Sequence, residues 1–165
     1  MLFRSARHFA LHALTGADER VRAWAATSGV PLSDTLPAYA RAATLAELHA
    51  AVSLPGITVG AHSWSHRNLA SLGDSDVFAE VRDSRQWLRA EFGNKALDWF
   101  AYPYGFDSDA AHRAVADASF SGGLRIGGGW YRPTIDSRFT RPRFSIGPGL
   151  TISGFRARVT GARLA

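Results

Sequence analysis

The stretch GITVGAHSWSH, Gly56 to His66, decides how the rest of the chain is read. Ile57-Thr58-Val59 is a β-rich apolar run, Pro55-Gly56 is a turn leading into it, and a strand is expected over 57–61. Two histidines then follow four residues apart, His62 and His66. On a helical turn, imidazoles at that spacing share a face and can hold one zinc ion at about 2.0–2.1 Å each. Ser63 rather than Glu follows the first histidine, so this is not the H-E-x-x-H zinc-protease pattern. Ordinary loop chemistry is the competing reading, with one imidazole packed and the other hydrogen-bonded locally.

Outward from this stretch, helices and strands alternate. Residues 2–14 and 18–28 read as helices, the second with Val21, Trp24 and Ala25 on one face and Gly29 and Pro31 as stop signals. Pro37 breaks the next segment. Thr44 and Glu47 form a capping box that opens a short helix through Ala51. After the histidines the strongest helix begins near Asp74. Val77, Val81, Leu88 and Phe92 form its apolar stripe, with Phe78 and Trp87 beside it. Glu80, Arg82, Arg85 and Arg89 are placed away from the stripe, and Gly93 is the stop. A strand over 97–102 ends at Pro103, and Ser108 or Asp109 caps a helix to about Ala118. Strands near 120–126 and 143–146 and a helix over 152–159 complete the order. Such alternation predicts a parallel α/β layer with its site at the C-terminal strand ends.

Composition narrows the function classes. The chain has 165 residues, 46% hydrophobic and 20% charged, as for a folded domain rather than a disordered or fibrous one. No run approaches the roughly 18 apolar residues of a membrane span. With no cysteine, disulfides and thiolate metal sites are excluded. The net charge is +5, almost all from arginine because Lys95 is the only lysine. The arginines are scattered, which points to a solvated surface and not to a nucleic-acid interface. The opening MLFRSARHFALHALTG has an apolar core broken by His12 and no small-residue cleavage site, so it reads as an amphipathic helix and not a targeting segment.

A second motif, Tyr102-Pro103-Tyr104-Gly105, again stands at a strand end. Pro103 fixes its own φ and Gly105 permits a sharp turn, so the backbone N–H of Tyr104 can face a developing oxyanion. A plain strand-terminating turn with two packed tyrosines has the same residues.

Taken together, His62-Ser63-Trp64-Ser65-His66 and Tyr102-Pro103-Tyr104-Gly105 resemble the metal motif and third motif of the NodB-homology polysaccharide deacetylases, carbohydrate esterase family 4. Arg67-Asn68-Leu69-Ala70-Ser71-Leu72 is similar to the family's continuation, and the resemblance runs from about Thr44 to Ile146. It implies a distorted (β/α) barrel and metal-dependent hydrolysis of acetyl groups, chiefly N-acetyl amides, on a polysaccharide. By this resemblance His62 and His66 hold a divalent metal, most often zinc. Tyr104 supplies a backbone oxyanion contact, and Trp64 or Tyr102 lines the sugar groove. The family commonly works at the cell envelope; the residues themselves leave the compartment and the oligomeric state open.

The chain departs from the family pattern in a definite way. The first motif, an Asp-Asp pair giving the general base and a third metal ligand, has no counterpart. The acids ahead of His62 are Asp18, Glu19, Asp34 and Glu47, and each suits a cap or a surface charge. Ala101 stands where an arginine often orients the base, and no late catalytic histidine is evident, since His112 falls on a predicted helix and reads as a surface residue. Arg143 resembles the last strand of shorter members without a defined role. The expectation is a partial barrel lacking its first strand or strands. Residues 1–43 form a helical segment and 44–165 the partial deacetylase domain, all in one structural unit. Such a truncated chain is expected to be inactive or nearly so; the alternative is a non-catalytic relative that binds carbohydrate or assists a partner.

Overall fold

The computed structural model describes residues 18–29, 41–127, 129–134, 136–147 and 149–161. The helix expected over 2–14 and the break at Pro37 lie outside the described residues. Helix α1 spans Asp18–Thr27 and α2 spans Leu45–Ser53. The capping box at α2 is present: Glu47 N–H donates to Thr44 Oγ at 3.3 Å and Thr44 N–H donates to Glu47 Oε2 at 2.7 Å. Arg41 adds an ion pair at 2.7 Å, and this, with the Thr44 bonds, holds the Glu47 carboxyl down to about 2.

Four parallel strands follow: β1 Val59–Ala61, β2 Ala96–Ala101, β3 Gly122–Ile126 and β4 Arg141–Arg143. Helix α3, Asp74–Phe92, links β1 to β2, and α4, Asp109–Asp117, links β2 to β3. The sheet order is β1-β2-β3-β4, so each connection steps in the same direction. Successive one-way stepping is the topology of a (β/α) barrel, whereas doubly wound sheets reverse at a switch point. The fold is therefore α/β, a partial barrel, as expected. Among the described residues β1 and β4 are the sheet's two edges.

The core lies between α3, α4 and the sheet. Phe100 is fully buried with its ring 5.4 Å from Tyr102 and 5.5 Å from Phe120, and Val77, Val81, Leu69 and Val115 close around them. Helix α5, Ile152–Thr160, is capped by Thr151 Oγ, which accepts from Gly154 N–H at 3.0 Å.

Several expectations change. β1 is shorter than the predicted 57–61, with a register shift between Val59 and Ala61. β4 lies earlier than 143–146 because, as an edge strand, it accommodates Pro142 without losing a central ladder bond. Glu80 and Arg85 are not on the outer face of α3. Glu80 is 7% exposed, and Arg85 is mostly buried against Asp98 at 2.7 Å. Nor is His112 a free surface residue: it is packed near Tyr102 and pairs with Asp107 at 2.8 Å.

Candidate metal centre at the strand ends

His62 is the first residue past β1, and the segment 62–68 that carries both histidines is not helical. The imidazoles meet through a tight turn instead of a shared helical face, a correction to the spacing argument. Ser63 has φ 65° and His66 φ 59°, both in the left-handed region. Ser63 Oγ accepts from the His66 backbone N–H at 2.9 Å, closing the turn. The two rings end edge-to-face with centroids 4.8 Å apart.

The turn is anchored by Glu80 of α3. Its carboxylate accepts from Trp64 N–H at 3.0 Å, from Ser65 N–H at 2.8 Å and from the Ser65 hydroxyl. A buried carboxylate with these three donors holds the left-handed turn in place, at positions where strain costs about 1–3 kcal/mol each. Glu80 is thus a positioning residue that the sequence reading put on the solvent side. The signal was available: it lies three residues after Val77 and four before the buried Ser84.

The protonation of His62 follows from its partner. Its Nδ1 lies 2.6 Å from the Ala101 carbonyl at the end of β2. A carbonyl only accepts, so Nδ1 carries the proton and Nε2 presents its lone pair. Burial pushes the imidazole's pKa down against the raising effect of that bond, and the charges of His66 and Arg143 push it further down. His66 Nδ1 lies 3.1 Å from the Tyr104 hydroxyl, and the two rings are 4.7 Å apart. Burial raises the pKa of the Tyr104 phenol, and its oxygen accepts in the tautomer that carries the proton on Nδ1 of His66, which leaves Nε2 of His66 free as well.

Tyr104 itself is held at φ 58° and ψ 0° between Pro103 and Gly105. Gly105 is required there: a Cβ at its φ of 76° would lie 2.3 Å from Ile126 Cβ. The YPYG turn therefore nests against the end of β3 and delivers the Tyr104 side chain to His66. The sequence motif points to the Tyr104 backbone N–H, whereas the structure adds this side-chain contact to His66.

Trp64 is 57% exposed and meets Trp87 edge-to-face at 6.4 Å. Together with Gly60, His62, Ser63, Ser84 and Leu88 they line an open cleft of about 400 Å³ beside the histidine pair. Tyr102 is different. It is fully buried, donates its hydroxyl to the Phe139 carbonyl at 2.9 Å, and has its pKa pushed up by burial. It is a core residue and does not line a groove. Its ring passes where Gly123 leaves room, since a Cβ there would meet the Tyr102 oxygen at 2.5 Å.

Two imidazoles with Nδ1 engaged and Nε2 available suit a divalent metal as donors. Among the described residues no third His, Asp or Glu joins them in a metal-holding group. The fit is therefore to two ligands of a larger set, since catalytic zinc usually has three protein ligands. No described helix is long and apolar enough to cross a membrane.

Comparison with known proteins bears on the fold and the family. A solved Streptococcus pyogenes deacetylase, PplD in complex with acetate, is 17% identical with a TM-score of 0.64, over 73% of this chain and 52% of that one. At this identity the likeness shows the fold, and the chain spans about half the length of that structure. A de-N-acetylase from Aggregatibacter actinomycetemcomitans matches at 18% identity over 50% of this chain and 30% of that one, with a TM-score of 0.43, too low to show a shared fold. No curated protein matches. The family model described as polysaccharide deacetylase matches residues 11–122, which include both histidines and the YPYG turn. The chain belongs to the polysaccharide deacetylase family.

Proposed function

We propose that this chain carries the histidine pair and the tyrosine turn of a metal-dependent deacetylase that removes acetyl groups, chiefly N-acetyl, from a polysaccharide. The observation that carries the reading is the His62 Nδ1–Ala101 carbonyl bond, which leaves Nε2 of His62 as a lone pair beside His66. His62 and His66 would hold the ion, most often zinc in such a donor set. When bound, the ion supplies Lewis-acid polarisation of an acetyl carbonyl. The chain's own residues do the positioning. Ala101 and Tyr104 fix the two imidazole orientations and Glu80 fixes the turn between them; the Tyr104 backbone N–H would supply the oxyanion contact. Trp64 offers an exposed face on which a sugar ring can stack.

The carboxylate needed as general base does not stand with the pair among the described residues. We therefore expect weak zinc binding and little or no acetate release from this chain alone. The test measures zinc binding and acetate release from N-acetylglucosamine oligomers, for this chain and for a longer version extended upstream. Strong activity gained only by the longer version supports the reading, while equal robust activity in both refutes the missing base. The exposed Trp64–Trp87 cleft favours a second reading, a non-catalytic carbohydrate-binding relative. Sugar-oligomer affinity that survives chelation and His62→Ala would favour it over a metal-centred role.

A further inference from the structure

The positive charge of this chain is unevenly placed along it. All 14 acidic residues lie at or before Asp136, whereas residues 137–165 hold six of the 19 basic residues, all of them arginine. The whole positive excess therefore sits in residues 137–165, and the chain before them is close to neutral. Charge asymmetry of this kind points to a negatively charged partner for the basic part.

Helix α5 lies in this segment and presents its faces in the reverse of a core helix. The side that meets the rest of the protein carries small residues: Gly154, buried under Leu150, and half-buried Ala157. Arg158 ties the same side to the exit of β4 by donating to the Ser145 carbonyl. Ile152, Phe155 and Val159, at spacings of three and four, share the opposite face. Ile152 is 69% exposed and Phe155 41%. Arg156 and Arg158, both exposed, flank this apolar stripe on its two sides. The apolar surface continues past the helix. Trp130, 52% exposed, lies against Gly161 at the helix end and meets Phe144 edge-to-face at 5.6 Å.

We propose that α5 and the Trp130–Phe144 pair form a docking surface for an anionic lipid bilayer. Ile152, Phe155 and Trp130 enter the headgroup boundary, and Arg156 and Arg158 meet the lipid phosphates. Exposed apolar and indole side chains bracketed by arginine fit a surface that is negative outside and apolar beneath. A soluble polyanion would answer the charge and leave the isoleucine and phenylalanine in water. A second copy of the chain would cover the apolar stripe but set one acid-free arginine segment against another. The proposal does not rest on the deacetylase reading.

Co-sedimentation of the full chain with vesicles of phosphatidylcholine and phosphatidylglycerol in equal parts, against phosphatidylcholine alone, tests it. The mixed vesicles should be bound roughly tenfold or more tightly, and high salt should remove most of that preference. Arg156→Gln should weaken binding about fivefold, and Ile152→Ser with Phe155→Ser roughly tenfold or more. Arg82→Gln, outside the segment, should leave it unchanged. No vesicle binding, or equal binding to the two compositions, overturns the proposal. Heparin binding that the double serine variant retains, with no preference for anionic vesicles, shows a polyanion site and overturns it. So does a dimer by light scattering that the double serine variant abolishes while vesicles go unbound. Should the double variant fail to fold, Arg156→Gln and the wild-type preference still decide. Zinc binding and acetate release are scored separately, so either reading can fail without the other.

Discussion

Replacing Glu80 with alanine removes the acceptor for two backbone N–H groups and one hydroxyl in the turn that carries both histidines. Each charge-assisted bond is worth about 1.5–3 kcal/mol net, and because the donors on Trp64 and Ser65 are only part-buried, leaving them without an acceptor adds less than the ~1–3 kcal/mol of a buried donor. Release of the desolvated charge offsets part of this, so the net loss is about 3 kcal/mol. For a domain of this size that lowers Tm by roughly 6–12 °C. Glu80→Gln behaves differently, because both backbone donors share Oε2 and a carboxamide oxygen can still accept them. Its amide can donate to Ser65 Oγ, and the expected cost is about 1 kcal/mol. Thermal unfolding of both variants, paired with zinc titration, makes the check. Zinc affinity should fall roughly tenfold or more in Glu80→Ala, as for lost outer-shell support, and recover largely in Glu80→Gln. A Glu80→Ala protein that melts within about 2 °C of wild type and binds zinc equally well would refute the anchoring role.

Gly105→Ala places a methyl 2.3 Å from Ile126 Cβ at φ 76° and should cost more than about 3 kcal/mol by denaturant unfolding. Gly56→Ala, at φ 79° with nothing within 4 Å, should cost only about 1 kcal/mol, and equal losses would show that the YPYG turn does not nest on β3. Tyr102→Phe should lose about 1–2 kcal/mol through the Phe139 carbonyl and leave sugar-oligomer affinity unchanged. Trp64→Ala should do the opposite, and a loss of affinity in Tyr102→Phe would restore that residue to the groove. The Asp98 carboxyl is held below its usual range by hydrogen bonding to Arg89 and by Arg85. Its stabilising effect is therefore full above about pH 4 and lost as pH falls through the lowered value. Asp98→Asn should flatten acid unfolding in that window; an unchanged pH profile would show that these pairs contribute nothing.

The sequence carried the strand-end motifs because their signals are local. A β-rich run ending in Gly60-Ala61, the Thr44–Glu47 capping box and the stripe of α3 depend on near neighbours and are legible in the sequence, although the strand begins at Val59 and not at Ile57. The misplaced residues depend on contacts distant in sequence. Glu80 was set on the solvent side by its charge although its helical position lies within the buried face, and only the turn at 64–65 explains why a carboxylate belongs there. The groove role of Tyr102 comes from the family resemblance and not from its own position in the strand. Alternation along β2 instead points it into the core, toward Phe100 on one side and Phe139 on the other. His112 was read as exposed because its partner Asp107 lies in the preceding loop, outside any helical period. The spacing of the histidine pair suggests a helical face, whereas left-handed residues at Ser63 and His66 bring the rings together.

His62 and His66 are proposed to present two free Nε2 atoms to one divalent ion. Imidazole ¹⁵N NMR of the chain at neutral pH, before and during zinc titration, tests it most directly. His62 should be neutral with its proton on Nδ1, and zinc should shift the Nε2 signals of His62 and His66 together, with both responses abolished in His62→Ala. A His62 proton found on Nε2, or Nε2 signals that zinc leaves unmoved, would contradict it.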